Sequence, residues 1–322
     1  MTIISCITKT GITAVPPADL PTLLAQESSD ILWVDMIGPR EEDLQMMREV
    51  FHFHPLTIED TRNHRQRPKI EEYPTYLFVI LNPVECQGRE TIFHELDIFV
   101  GRNYIVTVHT NAQPFLDEAR ERIERVAATP HASPGYMLYI LMDTVVDGYF
   151  PLLDVLEEEI ETLGDTILAQ PNQQSLNRLF ELKRTLIDFW RVVWPQREIL
   201  NNLAHHDLPF INEEAIQPYL RDVTDHLMWI ADMVTTFRDT LTSSIDLYMS
   251  SISNRLNIVV NRLTVFTVMI GLMGVVAGFY GMNFAQTWPP FESSWGVPFV
   301  LLLMGVIAGT LAYILRRLNW FQ

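Results

Sequence analysis

Apolar residues follow three different patterns along this chain of 322 residues. Before about residue 130, short runs of β-branched and aromatic residues predict strands, and an acid-rich turn after Pro39 predicts a helix. The tripeptide Gly101–Asn103 predicts a tight hairpin turn between the last two strands. We therefore expect a mixed α/β domain around one sheet in residues 1–130. The predicted strands are Ile31–Asp35, Tyr76–Leu81, Glu95–Val100 and Tyr104–His109.

After this region the strand signals stop, and apolar residues recur every three or four positions. A third long helix is predicted to start with the cap and acids of Asn212-Glu-Glu214, and Pro218 then interrupts its backbone before Tyr219. Its periodicity continues to about Tyr280, a length of roughly 90 Å at 1.5 Å per residue. Residues 131–258 are therefore predicted to be a helical stalk region. The first two helices are predicted over Met137–Leu168 and Ser175–Leu203.

Two apolar runs without charge lie near the end of the chain, Leu263–Phe279 and Val297–Leu315. Each run, with its flanks, reaches the roughly 20 residues that span a bilayer. Buried helices of a soluble domain are the alternative, but two such runs rarely adjoin in one soluble domain. The connector holds two prolines and the aromatic residues Trp288, Phe291 and Trp295, which is typical of an interfacial loop. We predict transmembrane helices over 259–281 and 297–315, an outer loop over 282–296 and a basic tail over 316–322.

The distribution of charge predicts how this hairpin is oriented in the membrane. The net charge is −17, and almost all of it precedes the first apolar run. The loop between the runs has no Lys or Arg, so the positive-inside rule places both termini in the cytosol. The acidic balance argues against nucleic acid, which needs a basic face, and suits a cation as partner. Cys6 and Cys86 form no CxxC pair, which argues against a thiolate zinc site. The basic flanking residues are Arg255, Arg262, Arg316 and Arg317.

One face of the third helix is polar or small, although the rest of its apolar part is rich in Leu, Val and Ile. Within a bilayer such a stripe indicates either helix packing or a wet pore, and its glycines fit both. The polar residues upstream on the same face favour a pore. Two spans cannot enclose one, so a pore requires a symmetric oligomer. The stripe consists of Asp246, Met249, Ser253, Asn257, Val260, Leu263 (or Thr264), Thr267, Gly271, Gly274 and Gly278.

An amide stands where the first apolar run ends. Gly281 breaks the helix there, and Asn283 can turn its side-chain carbonyl towards a pore axis. Magnesium gives up its water reluctantly, and neutral carbonyls can accept hydrogen bonds from that water. A ring of carboxylates would bind the ion too tightly for fast release. Glu292, the only acid in the loop, would attract cations to the mouth.

The run Tyr280-Gly-Met-Asn-Phe284, after a long helix and before a second span that ends in basic residues, resembles the CorA family of divalent-cation transporters. The stretches RQRPKIE, ELDIFV and YLRDVTDH resemble the cytosolic domain of that family, so the resemblance covers nearly the whole chain. It implies an α+β cytosolic domain, an α/β sandwich plus long helices, with a C-terminal two-helix transmembrane hairpin. It also implies a homopentameric funnel in a bacterial inner membrane, with the first span lining the pore and the second facing lipid.

The resemblance further implies roles for single residues. Asp222 matches one ligand of a cytosolic metal site between subunits, and Mg²⁺, Co²⁺, Ni²⁺ or Zn²⁺ would be both substrate and regulator. No organic cofactor is implied. Loose candidates for the partner of Asp222 are Glu85, Glu90 and Glu95. The matching pore residues are Gly281, Met282 and Asn283 in the selectivity loop, Val260 and Leu263 at the gate, and Asn257 and Asp246 as polar rings.

Departures from the family pattern leave the cation open. Gly271-Leu272 stands where many magnesium-transporting members have Met-Pro, and a zinc-preferring, proton-coupled transporter is one alternative. No histidine lies in the membrane path, and we interpret the pairs His52/His54 and His205/His206 as ordinary surface or packing residues. A membrane-anchored metal sensor or scaffold without transport is the other alternative. The chain has no nucleotide loop, nucleophile elbow or HExxH motif, so we do not expect an enzyme.

Overall fold

The computed structural model describes residues 1–9, 11–26, 30–64, 66–87, 90–127, 129, 132–203, 213–282, 288, 290 and 294–317. The chain divides into two compact units. The first comprises residues 1–164 and 177–242, and the second comprises residues 165–176 and 243–322. The domain boundaries expected at residues 130 and 258 stay predictions.

The strands of the first unit are β1 (Thr2–Thr8), β2 (Gly11–Ala14), β3 (Ile31–Ile37), β4 (Lys69–Glu72), β5 (Leu77–Leu81), β6 (Val84–Gln87), β7 (Glu90–Phe93), β8 (Leu96–Val100) and β9 (Tyr104–His109). Seven of them form one sheet in the order β2-β1-β3-β9-β8-β5-β4. Its neighbours pair antiparallel, except that β3 and β9 run parallel. Strands β6 and β7 form a separate hairpin, so the prediction of a single sheet was wrong.

The helices are α1 (Leu20–Leu24), α2 (Glu41–Glu49), α3 (Pro55–Asn63), α4 (Pro114–Ala127), α5 (Pro134–Asp147), α6 (Phe150–Ala169), α7 (Gln173–Leu203), α8 (Glu213–Tyr280) and α9 (Gly296–Arg317). Helices α2 and α3 contribute Leu44, Met47 and Ile58 to a core that also takes in side chains of the sheet. Helix α5 contacts β8 and β9, and α4 contacts β1 and β2. Helices therefore cover the sheet, and strands β5 and β8 are buried throughout.

The helix predicted over Met137–Leu168 is in fact two helices, α5 and α6. Pro151 explains the break, because it lacks the N–H that a continuous helix would donate to the Asp147 carbonyl. The third helix, α8, begins at Glu213, as the cap signal at Asn212 predicts, but the interruption expected at Pro218 does not occur, since α8 contains this proline. A proline so near the start of a helix removes a single backbone hydrogen bond, to the carbonyl of Glu214, and the helix continues.

Two contacts, one buried and one partly buried, link elements in the helical part of the first unit. The Tyr149 hydroxyl donates to the Asn82 carbonyl at 2.6 Å and accepts from Gln196 Nε2 at 2.6 Å, which joins α7 to the end of β5. The Arg178 guanidinium donates to both carboxylate oxygens of Glu159, each at 2.6 Å. This two-pronged pair links α7 to α6, and such geometry is the strongest form of the arginine–carboxylate interaction.

Asp97 of β8 is a buried carboxyl, with 1% of its surface exposed. Burial, and then the charge of Glu95, raises the pKa of Asp97 well above its usual value. The folded chain therefore keeps a proton that the unfolded chain has already lost, and stability falls as pH rises above the ordinary carboxyl pKa.

We expect Asp97→Asn to stabilise the protein near neutral pH and to flatten this pH dependence. One unit of pKa difference corresponds to about 1.4 kcal/mol, whereas the exposed control Asp117→Asn should stay within about 0.5 kcal/mol. Thermal unfolding of both variants between pH 5 and 8 measures the effect. A lower melting temperature for Asp97→Asn at neutral pH would show that the carboxylate is stabilised inside the fold.

Candidate functional site

Within the described part of the chain, two helices are long and apolar enough to cross a membrane, the later part of α8 and most of α9. Their most apolar stretches have mean hydropathies of 2.0 and 2.3. Only 6% and 0% of these stretches are buried within the chain. The core helix of a soluble protein would be mostly buried, so these surfaces fit contact with lipid or with other copies of the chain.

Every residue of the predicted polar stripe lies on the exposed surface of α8, from Asp246 to Gly278. A Cβ atom added at Gly271, Gly274 or Gly278 would meet nothing within 4 Å. Val260 and Leu263, the predicted gate, are 50% and 65% exposed. The whole stripe is thus free to face neighbouring copies, and its assignment to a pore stays a prediction.

The predicted selectivity loop begins where α8 ends. The Gly281 N–H donates to the Ala277 carbonyl at 2.9 Å, and a Cβ at this glycine would come within 3.2 Å of the same oxygen. Glycine therefore fits the tight exit from the helix. Met282 follows, exposed, and its N–H donates to the Phe279 carbonyl at 3.3 Å. The remaining predicted residues of this loop, Asn283 and Glu292, lie outside the described residues.

A second candidate site lies in the first unit, where α5 meets α8. Asp143, Asp147 and His226 each offer one ligand atom, and these atoms all lie within 4.8 Å of one another. Asp143 and Asp147 are four residues apart, so both face the same side of α5. The Nδ1 atom of His226 is buried and has no hydrogen-bond partner among the described residues. Two carboxylates and one imidazole form a donor set that can hold a divalent cation.

The positively charged side chain in contact with this cluster is Arg122 of α4. Its guanidinium donates to the Asp143 carboxylate and to Thr144 Oγ1, and it lies 3.8 Å from Asp147 Oδ2. Burial alone would lower the pKa of Arg122, but the bond to Asp143 raises it above its ordinary value. Burial, and then the charge of Asp143, raises the pKa of Asp147. A divalent ion at this place would add positive charge beside Asp147 and would compete with Arg122 for Asp143.

Asp222, the predicted regulatory ligand, is exposed on α8 one turn before His226. The two side chains share a helix face because they are four residues apart. Burial, and then the charge of Asp143, raises the pKa of Tyr139 to about 12, and Asp222 adds to the same effect. Asp222 therefore lies near Tyr139, on the helix face that also carries His226.

The structure separates the three candidates for the partner of Asp222. Glu95 is buried and accepts the backbone N–H of Gln66. Glu85 pairs with His94 at 2.9 Å and is partly exposed. The side chain of Glu90 lies outside the described part of the chain. The Glu95 side chain thus makes its contact within the fold, whereas Glu85 remains a candidate ligand for a site shared with another copy.

Comparison with known proteins decides the family. The family model described as "CorA-like Mg2+ transporter protein" matches residues 28–317. The chain belongs to the CorA family. The cobalt/magnesium transport protein CorA of Thermotoga maritima is 34% identical to this chain over 299 residues, which covers 92% of this chain and 85% of the relative.

Solved structures confirm the predicted CorA fold class. The CorA magnesium transporter from Methanocaldococcus jannaschii matches with a TM-score of 0.84 and 23% identity, over 99% of this chain and 98% of that one. The full-length CmaX protein matches with a TM-score of 0.77 and 18% identity, over 99% and 97%. At this level of identity the two matches show the fold alone. The α+β domain, the long helices and the two C-terminal apolar helices of this chain fit that fold.

Sequence reasoning missed Asp143 and Asp147, although a signal was present. Asp143 and Asp147, like Asp222 and His226, are four residues apart on a helix, which places two polar side chains on one face. The spacing does not reveal that the two helices meet, because α5 and this part of α8 are about 80 residues apart in sequence. Both the acids and the imidazole are common without a metal, so the pairs became informative only once the fold joined them.

Proposed function

We propose that this CorA-family protein is a channel-like transporter that moves hydrated divalent cations, Mg²⁺ foremost, across the plasma membrane. In this proposal the transporter is a homopentamer, with identical copies around one axis. It lies in a bacterial inner membrane and has both termini in the cytosol. The membership in a family of divalent-cation transporters supports the transport itself. The observation that carries the mechanism is the exposed stripe of polar and small residues that leads along α8 to Gly281 and Met282.

Bilayer physics supports the pore. Thr267 and the stripe glycines are exposed in the single chain and lie within the predicted span, where polar or small positions indicate helix contact or a wet pore. Several copies that turn this stripe inward leave the apolar remainder of α8, and α9, to other helices and lipid. Polar and small walls suit an ion that keeps its water shell. Val260 and Leu263 would close such a path by excluding water when the copies approach one another.

Asn283 and Glu292 complete the outer mouth in this proposal. The sequence places them directly after the end of the pore helix, where amide oxygens can accept hydrogen bonds from hydrated Mg²⁺. Glu292 would raise the local concentration of cations without holding an ion in the pore, because it stands nine residues beyond Asn283.

The cytosolic cluster supports regulation by the transported ion. Asp143, Asp147, His226 and Asp222 together hold more negative than positive charge, even with Arg122 in place. Ions bound there would stabilise one arrangement of the copies, and loss of the ions would favour another. The imidazole adds affinity for Co²⁺, Ni²⁺ or Zn²⁺, which prefer nitrogen ligands more than Mg²⁺ does.

Purified protein in liposomes tests the proposal. We expect Mg²⁺ to enter when the inside is held negative, without any pH gradient, and we expect no entry in liposomes lacking the protein. Fluorescent indicators for Mg²⁺ and Zn²⁺, each read with and without a pH gradient, measure the flux. An oligomer that passes no divalent ion would favour the sensor or scaffold. Entry of Zn²⁺ alone, dependent on the pH gradient, would favour the zinc-preferring transporter.

A further inference from the structure

One exposed face of α7 alternates apolar and basic side chains. The positions are spaced by three and four residues, so they form a single line along the helix. Phe180, Ile187 and Trp194 on this line are 53%, 38% and 45% exposed. Arg184 is exposed, and the Arg191 side chain is 67% exposed. We call this line the arginine ladder, and it consists of Phe180, Arg184, Ile187, Arg191 and Trp194.

A ladder of this composition is unusual on a chain whose net charge is −17. Large apolar side chains at regular spacing on one helix face normally pack against a partner. Aromatic and arginine residues are also the types that protein interfaces favour. Arg191 also pairs with Asp188 of its own helix at 3.4 Å, but this contact is exposed and therefore weak, so both arginines can still favour a partner of opposite charge.

The same chain carries a matching acidic face on α6. The pairing of α6 with α7 within one chain uses Glu159 and Arg178, at 2.6 Å. This leaves Asp154, Glu158 and Glu161 exposed on α6, again at spacings of four and three residues. We call these three residues the acidic face. The six acids of Asp154–Asp165 are thus mostly a solvated helix face in the single chain, as their sequence suggests.

The two faces agree in register. Asp154 and Glu161 are seven residues apart, as are Arg184 and Arg191, and seven residues correspond to about 10.5 Å along a helix. In an antiparallel arrangement, Asp154 would stand opposite Arg191 and Glu161 opposite Arg184. Glu158 would then lie opposite Ile187, with its stem against the apolar side chain.

We propose that the acidic face of one copy docks on the arginine ladder of the neighbouring copy. A closed ring of more than two copies needs a head-to-tail contact, in which two different surfaces of each chain meet. The acidic face and the ladder are two such surfaces with complementary charge. The inference rests on the proposed oligomer, and adds to it the cytosolic helices that hold adjacent copies together.

Cross-linking of two full-length variants tests this contact. Both carry Cys6→Ala and Cys86→Ala, one also carries Glu158→Cys, and the other carries Ile187→Cys and a different tag. The two are expressed together, purified in detergent and in lipid nanodiscs, and treated with a bis-maleimide that spans the roughly 8–10 Å between packed helices. We expect a cross-linked pair with both tags, in several-fold excess over the control pair Glu158→Cys with Arg48→Cys.

Charge reversal shows whether the ion pairs direct the docking. Arg184→Glu with Arg191→Glu in the Ile187→Cys chain should abolish the cross-link. Asp154→Arg with Glu161→Arg in the Glu158→Cys chain should restore it, because the charges are then exchanged. The restoration also shows that the reversed chains still fold.

The outcomes separate this inference from the proposed function. An intact oligomer by mass measurement, with no excess of cross-link over the control, would overturn the docking alone. A monomer in both detergent and nanodiscs would overturn the docking and the pore together. A cross-link no stronger than that of the control pair, together with weaker binding of the Arg184→Glu, Arg191→Glu protein to phosphatidylglycerol vesicles, would assign the ladder to lipid and overturn the docking.

Discussion

Asn283→Ala is expected to reduce Mg²⁺ entry into liposomes below detection while the oligomer persists. In a symmetric pore one substitution removes an amide from every copy, so the whole ring of carbonyl groups at the mouth is lost. Each hydrogen bond to the ion's water shell contributes about 1 kcal/mol, and the losses act on the same ion. The methyl group of alanine offers no acceptor, so a hydrated ion would leave bulk water without compensation.

The controls for this variant come from the same loop. Gln286→Ala removes an amide outside the Gly-Met-Asn run and should leave most of the flux. Asn283→Gln keeps the carbonyl but moves it outward by one methylene, and we expect an intermediate rate. Mass measurement in detergent confirms that each variant assembles. Normal Mg²⁺ entry by an assembled Asn283→Ala protein would remove the loop from the selectivity mechanism.

Arg122→Ala should have the second largest effect, on stability, and divalent ions should reverse it. The substitution leaves Asp143, whose side chain is 8% exposed, without its cationic partner. Breaking a buried ion pair from one side costs about 3 kcal/mol or more. For a domain of this size that corresponds to a loss of several degrees in melting temperature.

The reversal by metal is the informative part of the Arg122→Ala experiment. Once the guanidinium is gone, Asp143, Asp147 and His226 are free to bind an ion, and an ion at 100 times its Kd returns about 2.7 kcal/mol. We expect Zn²⁺ to act at lower concentration than Mg²⁺, because one ligand is an imidazole. Thermal unfolding of the full chain in detergent, with and without each ion, measures both effects.

The matched control is Arg125→Ala on the same helix. Arg125 pairs with Glu121 at 3.3 Å, and both side chains are more than 70% exposed, so the loss should be within about 1 kcal/mol. A metal-dependent rise no larger in Arg122→Ala than in Arg125→Ala would show that the cluster does not hold a cation.

The sequence was sufficient for elements whose signal is local. Tyr104–His109 is a strand as predicted, because its β-branched residues fit a buried sheet. The first apolar helix ends at Tyr280, as the following glycine indicates. The strands β1 and β2 were missed. Strand β2 has only four residues and is half exposed, and β1, with seven residues, joins the sheet by pairing with β3 much further along the chain.

The candidate sites likewise include residues that the sequence could locate and residues that it could not. Gly281 and Met282 could be located from a motif and its place between two apolar runs. The Asp143, Asp147 and His226 cluster could not, because it depends on where α5 and α8 meet and on Arg122 from a third helix. Pro151 signalled the break, since proline disfavours a continuous helix, but the long apolar periodicity on both sides concealed it.

The order of the strands along the chain bears on how the protein is made. All seven strands of the main sheet precede residue 110, including the parallel pair β3 and β9. The first membrane-spanning run begins roughly 150 residues later, which a ribosome needs about 10–30 s to add. A mixed α/β domain folds in milliseconds to seconds. The sheet can therefore be complete before any hydrophobic span emerges, which would keep this domain on the side of the membrane where translation takes place.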